Sequence, residues 1–254
     1  LLGIISGTAA TAIYGVGSQI NQYYMALSTS ISGVFTPQIN RIVARGEGDE
    51  QLTKLFTRVG RIQFMLLMLV LTGFVFVGEP FICAWGGEEY GAAYWIALLL
   101  IAPVTVPLIQ NIGIEIQRAK NMHQFRSKVY FCMAIGNALV SIPLGMKFGG
   151  IGCALGTAIS MVVGNGFIMN WYYQTHIGLD MRYFWKHILS IVPAMLPAVA
   201  LGIIAVRLHT FTGYAGVVTF AVPYAAVYAV GLYLFAMDES EKNMVRGVMR
   251  KIRR

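Results

Sequence analysis

Long apolar runs separated by short charged stretches dominate the chain, and each run is close to the ~20 residues that cross ~30 Å of hydrocarbon as a helix. The runs are 9–43, which is interrupted by glycine and polar residues, then 55–77, 92–114, 129–146, 151–173, 188–206 and 214–237. The pattern predicts an all-α, polytopic transmembrane helix bundle of about seven spans over residues 1–237, followed by a basic tail over 238–254. Residues 1–7, LLGIISG, read as the stump of one more span at a cut end. Alternating polar and apolar runs, the signature of a membrane β-barrel, are absent.

Composition agrees with a lipid solvent. The 254 residues are 57% hydrophobic and 12% charged, with a mean hydropathy of +0.64. A soluble domain carries about twice that share of charge. The net charge of +8 would alone permit nucleic-acid binding, but the basic residues sit between apolar runs, so no nucleic-acid partner is expected.

Charge also sorts by side. Arg41, Arg45, Lys54, Arg58 and Arg61 lie before and at the start of the second run, Arg118, Lys120, Arg126 and Lys128 precede the fourth, and Arg182 and Lys186 the sixth. Lys242, Arg246, Arg250, Lys251, Arg253 and Arg254 lie in the tail, which leaves only Lys147 and Arg207 of the 19 for the opposite side. Short loops rich in Lys and Arg stay cytoplasmic, so a multi-pass protein of the cytoplasmic (inner) membrane with its C-terminus in the cytoplasm is expected. The opposite side holds EPFICAWGGEEYG with Glu79, Glu88 and Glu89. The tail, DESEKNMVRGVMRKIRR, reads either as a surface helix on anionic lipid or as a charge cluster that fixes topology.

Candidate chemistry is sparse. Cys83, Cys132 and Cys153 are scattered and read as packing residues. His123, His176, His187 and His209 form no HExxH pair, and no GxxxxGK is present. Neither an enzyme, nor a cofactor, nor a metal site is expected. Polar residues within the spans are more informative, because lipid tolerates them only against protein or water. Gln19, Asn21 and Gln22 cluster in the first run and Gln110 and Asn111 in the third, while Asn137 and Asn165 stand singly in the fourth and fifth. These seven are candidates for a substrate cavity, with helix-to-helix amide glue as the competing reading. Glu115 is the one carboxylate within or beside an apolar run, a candidate for ion coupling but more simply an interfacial ion pair with Arg118. Gly152, Gly156, Ser160 and Gly164 recur every fourth residue and predict a close helix seam.

The run AIYGVGSQINQYYMALSTSISGVFTPQINRIVARGE, followed by FICAWGGEEYGAAYW, IEIQRAKNMHQFRSKV and FGGIGCALGTAIS, resembles in order the second half of polysaccharide-biosynthesis flippases. These belong to the superfamily of multidrug, oligosaccharidyl-lipid and polysaccharide exporters. The resemblance covers roughly residues 1–175. It implies one lobe of a two-lobed alternating-access transporter, whose partner lobe is the missing N-terminal half of the same protein. The implied substrate is an undecaprenyl-pyrophosphate-linked oligosaccharide unit, flipped for surface polysaccharide assembly. A cation-coupled multidrug or metabolite antiporter of the same superfamily, and a nontransporting membrane protein, stay open as alternatives.

Overall fold

A computed structural model describes residues 2–239, 241–243 and 246–247, with side chains from residue 7 onward. Among the described residues every regular element is helical. Helix α1 (Leu2–Arg45) is followed by α2 (Asp49–Gly86), a 3₁₀ turn (Glu88–Tyr90), α3 (Ala93–Ile109) and α4 (Ile112–Ala119). Then come α5 (Gln124–Met161), a π-helical stretch (Val162–Ile168), α6 (Met169–Tyr172) and a second π-helical stretch (Tyr173–Ile177). The chain finishes with α7 (Met181–Leu189), α8 (Val192–Leu208) and α9 (Gly213–Phe235).

Four helical stretches are long and apolar enough to cross a membrane: Asp49–Gly86, Gln124–Ile177, Met181–Leu208 and Gly213–Phe235. A fifth is added if α3 and α4, which meet at 42°, form one broken span. That count is lower than the seven runs of the sequence for two physical reasons. Helix α1 has the length but not the apolarity, because amides, serines and threonines recur along it. The second reason is that 124–177 is not one rod. At Gly149 the backbone turns to φ 59°, ψ −136°, a region open mainly to glycine, and the chain doubles back.

The contacts of the two arms run antiparallel. Ser141 Oγ donates to the Cys153 carbonyl at 3.3 Å, and Tyr130 Oη donates to Asn165 Oδ1 at 3.1 Å. The predicted small-residue seam lies here. A Cβ on Gly152 would stand 2.0 Å from the Leu144 carbonyl oxygen, one on Gly156 2.1 Å from Ser141 Oγ, and one on Gly164 2.0 Å from Met133 Sδ. Glycine therefore sets the arm-to-arm distance, as close-packed membrane helices require.

One apolar core binds α1, α2, α3, α4 and the C-terminal helices, with Phe56, Leu67, Ile109, Ile116 and Phe184 fully enclosed. Phe56 packs on Phe184 with ring centroids 4.7 Å apart, and Tyr228 Oη reaches from α9 to the Met65 carbonyl at 2.8 Å. Outward-facing positions stay apolar: Phe131, Leu139, Met146, Phe167, Leu234 and Phe235 are all more than 60% exposed. Such a surface suits hydrocarbon, not water.

The basic segments converge at one end of the bundle. Lys120 pairs with Asp49 and donates to the Ile177 carbonyl, and the Asp180 amide donates to Thr53 Oγ1 at 3.2 Å. Arg61 forms a buried bidentate pair with Glu241 at 2.9 and 3.0 Å, and its other donors reach the His187 and Ala236 carbonyls at 2.9 and 2.7 Å. Asp238 and Glu241 cap each other's backbone amides at 2.9 and 2.8 Å, so a helical turn begins at the tail. The surface-helix reading of the tail rests on Met244, Val245, Val248, Met249 and Ile252, which lie outside the described residues.

Candidate functional site

The polar residues of the spans gather around the break between α3 and α4. Pro103 and Pro107 remove two helical N–H donors just before it. Gln110 and Asn111 form the joint, and their side chains reach different neighbours.

Asn111 faces α1 and α2. Its Nδ2 donates to Ser32 Oγ at 3.1 Å. Gln63, fully buried on α2, donates from Nε2 to Ser32 Oγ at 2.7 Å, to Ser28 Oγ at 3.0 Å and to the Ser28 carbonyl at 3.1 Å. Ser28 in turn donates to the Leu108 carbonyl at 2.8 Å, which ties α1 to the end of α3. One turn earlier on α1, Tyr24 Oη is hydrogen-bonded to Thr105 Oγ1 at 2.8 Å. This is a polar seam joining three helices through an otherwise apolar core. Its Gln63 Oε1 is buried without a partner. An acceptor left bare in this way costs about 1–3 kcal/mol unless a ligand or water reaches it.

Gln110 faces the opposite way. Its Nε2 donates to Asn170 Oδ1 at 3.0 Å, an atom that also accepts from Trp185 Nε1 at 2.7 Å. Asn170 Nδ2 bonds the Asn165 carbonyl at 2.7 Å, within the region where the helix widens to π geometry. Asn165 Oδ1 accepts from Tyr130 Oη, whose oxygen accepts from Arg126 Nη2 at 3.0 Å. π-Helical turns of this kind often mark functional positions.

Of the expected cavity residues, the structure brings Gln110, Asn111 and Asn165 into this assembly. Asn137 instead bridges the hairpin arms, accepting from Ser141 at 2.6 Å and from Thr157 at 3.4 Å. Asn21 lies on α1 with its Nδ2 3.7 Å from Met25 Sδ and its Oδ1 buried without a partner. Gln19 is half-buried and Gln22 exposed on the same helix. Glu115 pairs with Arg118 at 2.8 Å. Sequence reasoning passed over Ser28, Ser32, Gln63, Thr105, Tyr130 and Asn170. Gln63 carried a usable signal, being the lone amide between Arg61 and a long apolar run.

Among the described residues no cluster of His, Cys, Asp or Glu could hold a metal. No family model matches the chain, and no curated protein or solved structure matches it.

Proposed function

We propose that this chain is one lobe of a membrane transporter that flips undecaprenyl-pyrophosphate-linked oligosaccharide units across the cytoplasmic membrane. The observation that carries the reading is the broken α3–α4 helix, with Gln110 and Asn111 at its joint and amides and hydroxyls on both sides. Discontinuous helices with polar side chains at the break are how transporters place hydrogen-bonding groups inside a membrane. Sugars demand many neutral donors and acceptors, and amides and hydroxyls supply both. The Gln63 and Asn21 oxygens are buried acceptors without a partner, which a sugar hydroxyl would satisfy if opening of the lobe exposed them.

In this reading α1, α2, the α3–α4 pair, the two hairpin arms, α7 with α8, and α9 each cross the bilayer, and the basic end faces the cytoplasm. Further support is the ordered resemblance of residues 1–175 to polysaccharide flippases. Alternating access then rocks this lobe against its N-terminal counterpart.

The test replaces Asn21, Gln22, Gln110 and Asn111 singly by Leu and follows delivery of lipid-linked sugar to the outer leaflet. Transport should fall while the chain inserts and folds. Intact transport in all four variants, or loss of insertion in all four, would leave helix glue as the role of these amides.

A further inference from the structure

The Gln110 assembly runs through Asn165 and Tyr130 to Arg126, which borders a further polar region at the basic end, away from the α1–α2 seam. A cavity of about 580 Å³ opens between the end of α4 and the start of α5, lined by Gln117, Arg118, His123, Arg126, Ser127 and Tyr130 among others. Its volume falls within the range of small-ligand sites.

Three features give the cavity an uncompensated positive character. Helix α5 starts at Gln124 with no side-chain cap from His123 and no acidic residue in its first turn. Its exposed N–H groups and the helix dipole therefore favour an anion. Into the same turn the sequence places Arg126, a cation where the dipole favours an acid. Arg126 Nη2 is engaged by Tyr130, and the guanidinium carbon lies 4.8 Å from that ring's centroid, but Nη1 is buried with no partner. Gln117 is wholly enclosed, and both its Nε2 and its Oε1 lack a hydrogen bond. Folding gains nothing from leaving a bare amide and a bare guanidinium nitrogen buried in the lining of one cavity. A ligand that accepts hydrogen bonds and carries negative charge satisfies Arg126 Nη1 and Gln117 Nε2, and a protonated phosphoryl oxygen can donate to Gln117 Oε1. The one carboxylate nearby, Glu115, is held by Arg118, which is itself 66% exposed at the mouth. The carbonyls at the end of α4 are closed by the amides of Lys120, Asn121 and Met122, so they do not oppose an anion.

We infer that this cavity binds a phosphoryl anion, held by Arg126, Gln117 and the first turn of α5, with Arg118 at its mouth. The chemistry fits free phosphate or the headgroup of an acidic phospholipid, and it does not depend on the transport reading. Arg126 anchors the anion through the bare Nη1, while Gln117 Nε2 supplies a second donor.

The test uses the full chain in uncharged detergent with radiolabelled orthophosphate in equilibrium dialysis, and in parallel phosphatidylcholine vesicles with or without phosphatidic acid. Arg126→Gln should weaken binding at least about tenfold, the loss expected from one charge-assisted contact. Arg45→Gln, remote in sequence and 66% exposed, should change it less than about twofold. Gln117→Leu guards against misfolding, because it deletes two unpartnered buried atoms; it should fold at least as stably as the parent and still bind about tenfold more weakly. Arg126-dependent retention of orthophosphate identifies free phosphate as the ligand. Arg126-dependent enrichment of phosphatidic acid without orthophosphate retention identifies the headgroup. Binding of neither probe, or binding that Arg126→Gln and Gln117→Leu leave unchanged, overturns the assignment.

Discussion

Replacing Glu241 by Gln should destabilise the whole bundle, although the residue lies beyond α9. Arg61 and Glu241 side chains are only 9% and 4% exposed, so the pair is shielded from water as surface ion pairs are not. Arg61 directs four hydrogen bonds, two to Glu241 and one each to the His187 and Ala236 carbonyls, and so clamps α2, α7 and the end of α9 together. Removing one partner of a buried pair leaves an uncompensated charge and costs about 3–5 kcal/mol. Two carbonyls remain to solvate Arg61, which places the expected loss near the lower figure, about 3 kcal/mol. For a chain of this size that is a fall of about 6–12 °C in the thermal midpoint. The assay is thermal unfolding of the detergent-solubilised chain followed by tryptophan fluorescence, with Glu239→Gln as control, since Glu239 is 75% exposed. A double variant, Arg61→Met with Glu241→Leu, should recover part of the loss, because an apolar pair carries no desolvation penalty. A Glu241→Gln midpoint no lower than that of the control would refute the clamp.

Gly152→Val should separate the two arms of the hairpin, because a side chain there meets the Leu144 backbone oxygen at 2.0 Å and backbone cannot yield as a flexible side chain can; we expect a loss of about 3 kcal/mol, seen as reduced thermal stability, and an unchanged midpoint would refute the reversal at Gly149. Cysteines placed at Glu88 and Gln124, both exposed, in a chain lacking Cys83, Cys132 and Cys153, should separate by side: only the former should react with an impermeant reagent from outside, and equal labelling would invert or dissolve the topology.

The helical class was legible because hydrophobic runs report directly on the solvent, and the sorting of charge was legible because the basic segments occupy one end of the bundle. Span number was harder. The runs 129–146 and 151–173 part where the backbone reverses at Gly149, whereas the polar content of α1 blurs a helix that the runs suggested plainly. The site was half visible. Gln110, Asn111 and Asn165 stood out as amides in apolar surroundings, but a single-residue scan cannot tell that Asn137 spends its oxygen on the hairpin. Ser28, Ser32 and Thr105 were passed over because hydroxyls in membrane helices commonly bond their own backbone, and only three-dimensional placement reveals Gln63 between two of them. Arg126 was read as a loop charge; its buried nitrogen became visible only with the helix end beside it.

The central claim, transport of lipid-linked sugar, is tested most directly by reconstitution. The chain, together with the N-terminal lobe that the proposed reading pairs with it, is incorporated into vesicles loaded on one leaflet with a fluorescent undecaprenyl-pyrophosphate-linked oligosaccharide, and appearance of the label on the other leaflet is followed with an impermeant quencher. The account predicts transfer well above that of protein-free vesicles, lowered by Asn111→Leu. Transfer no faster than in protein-free vesicles, with both halves folded and inserted, would contradict it.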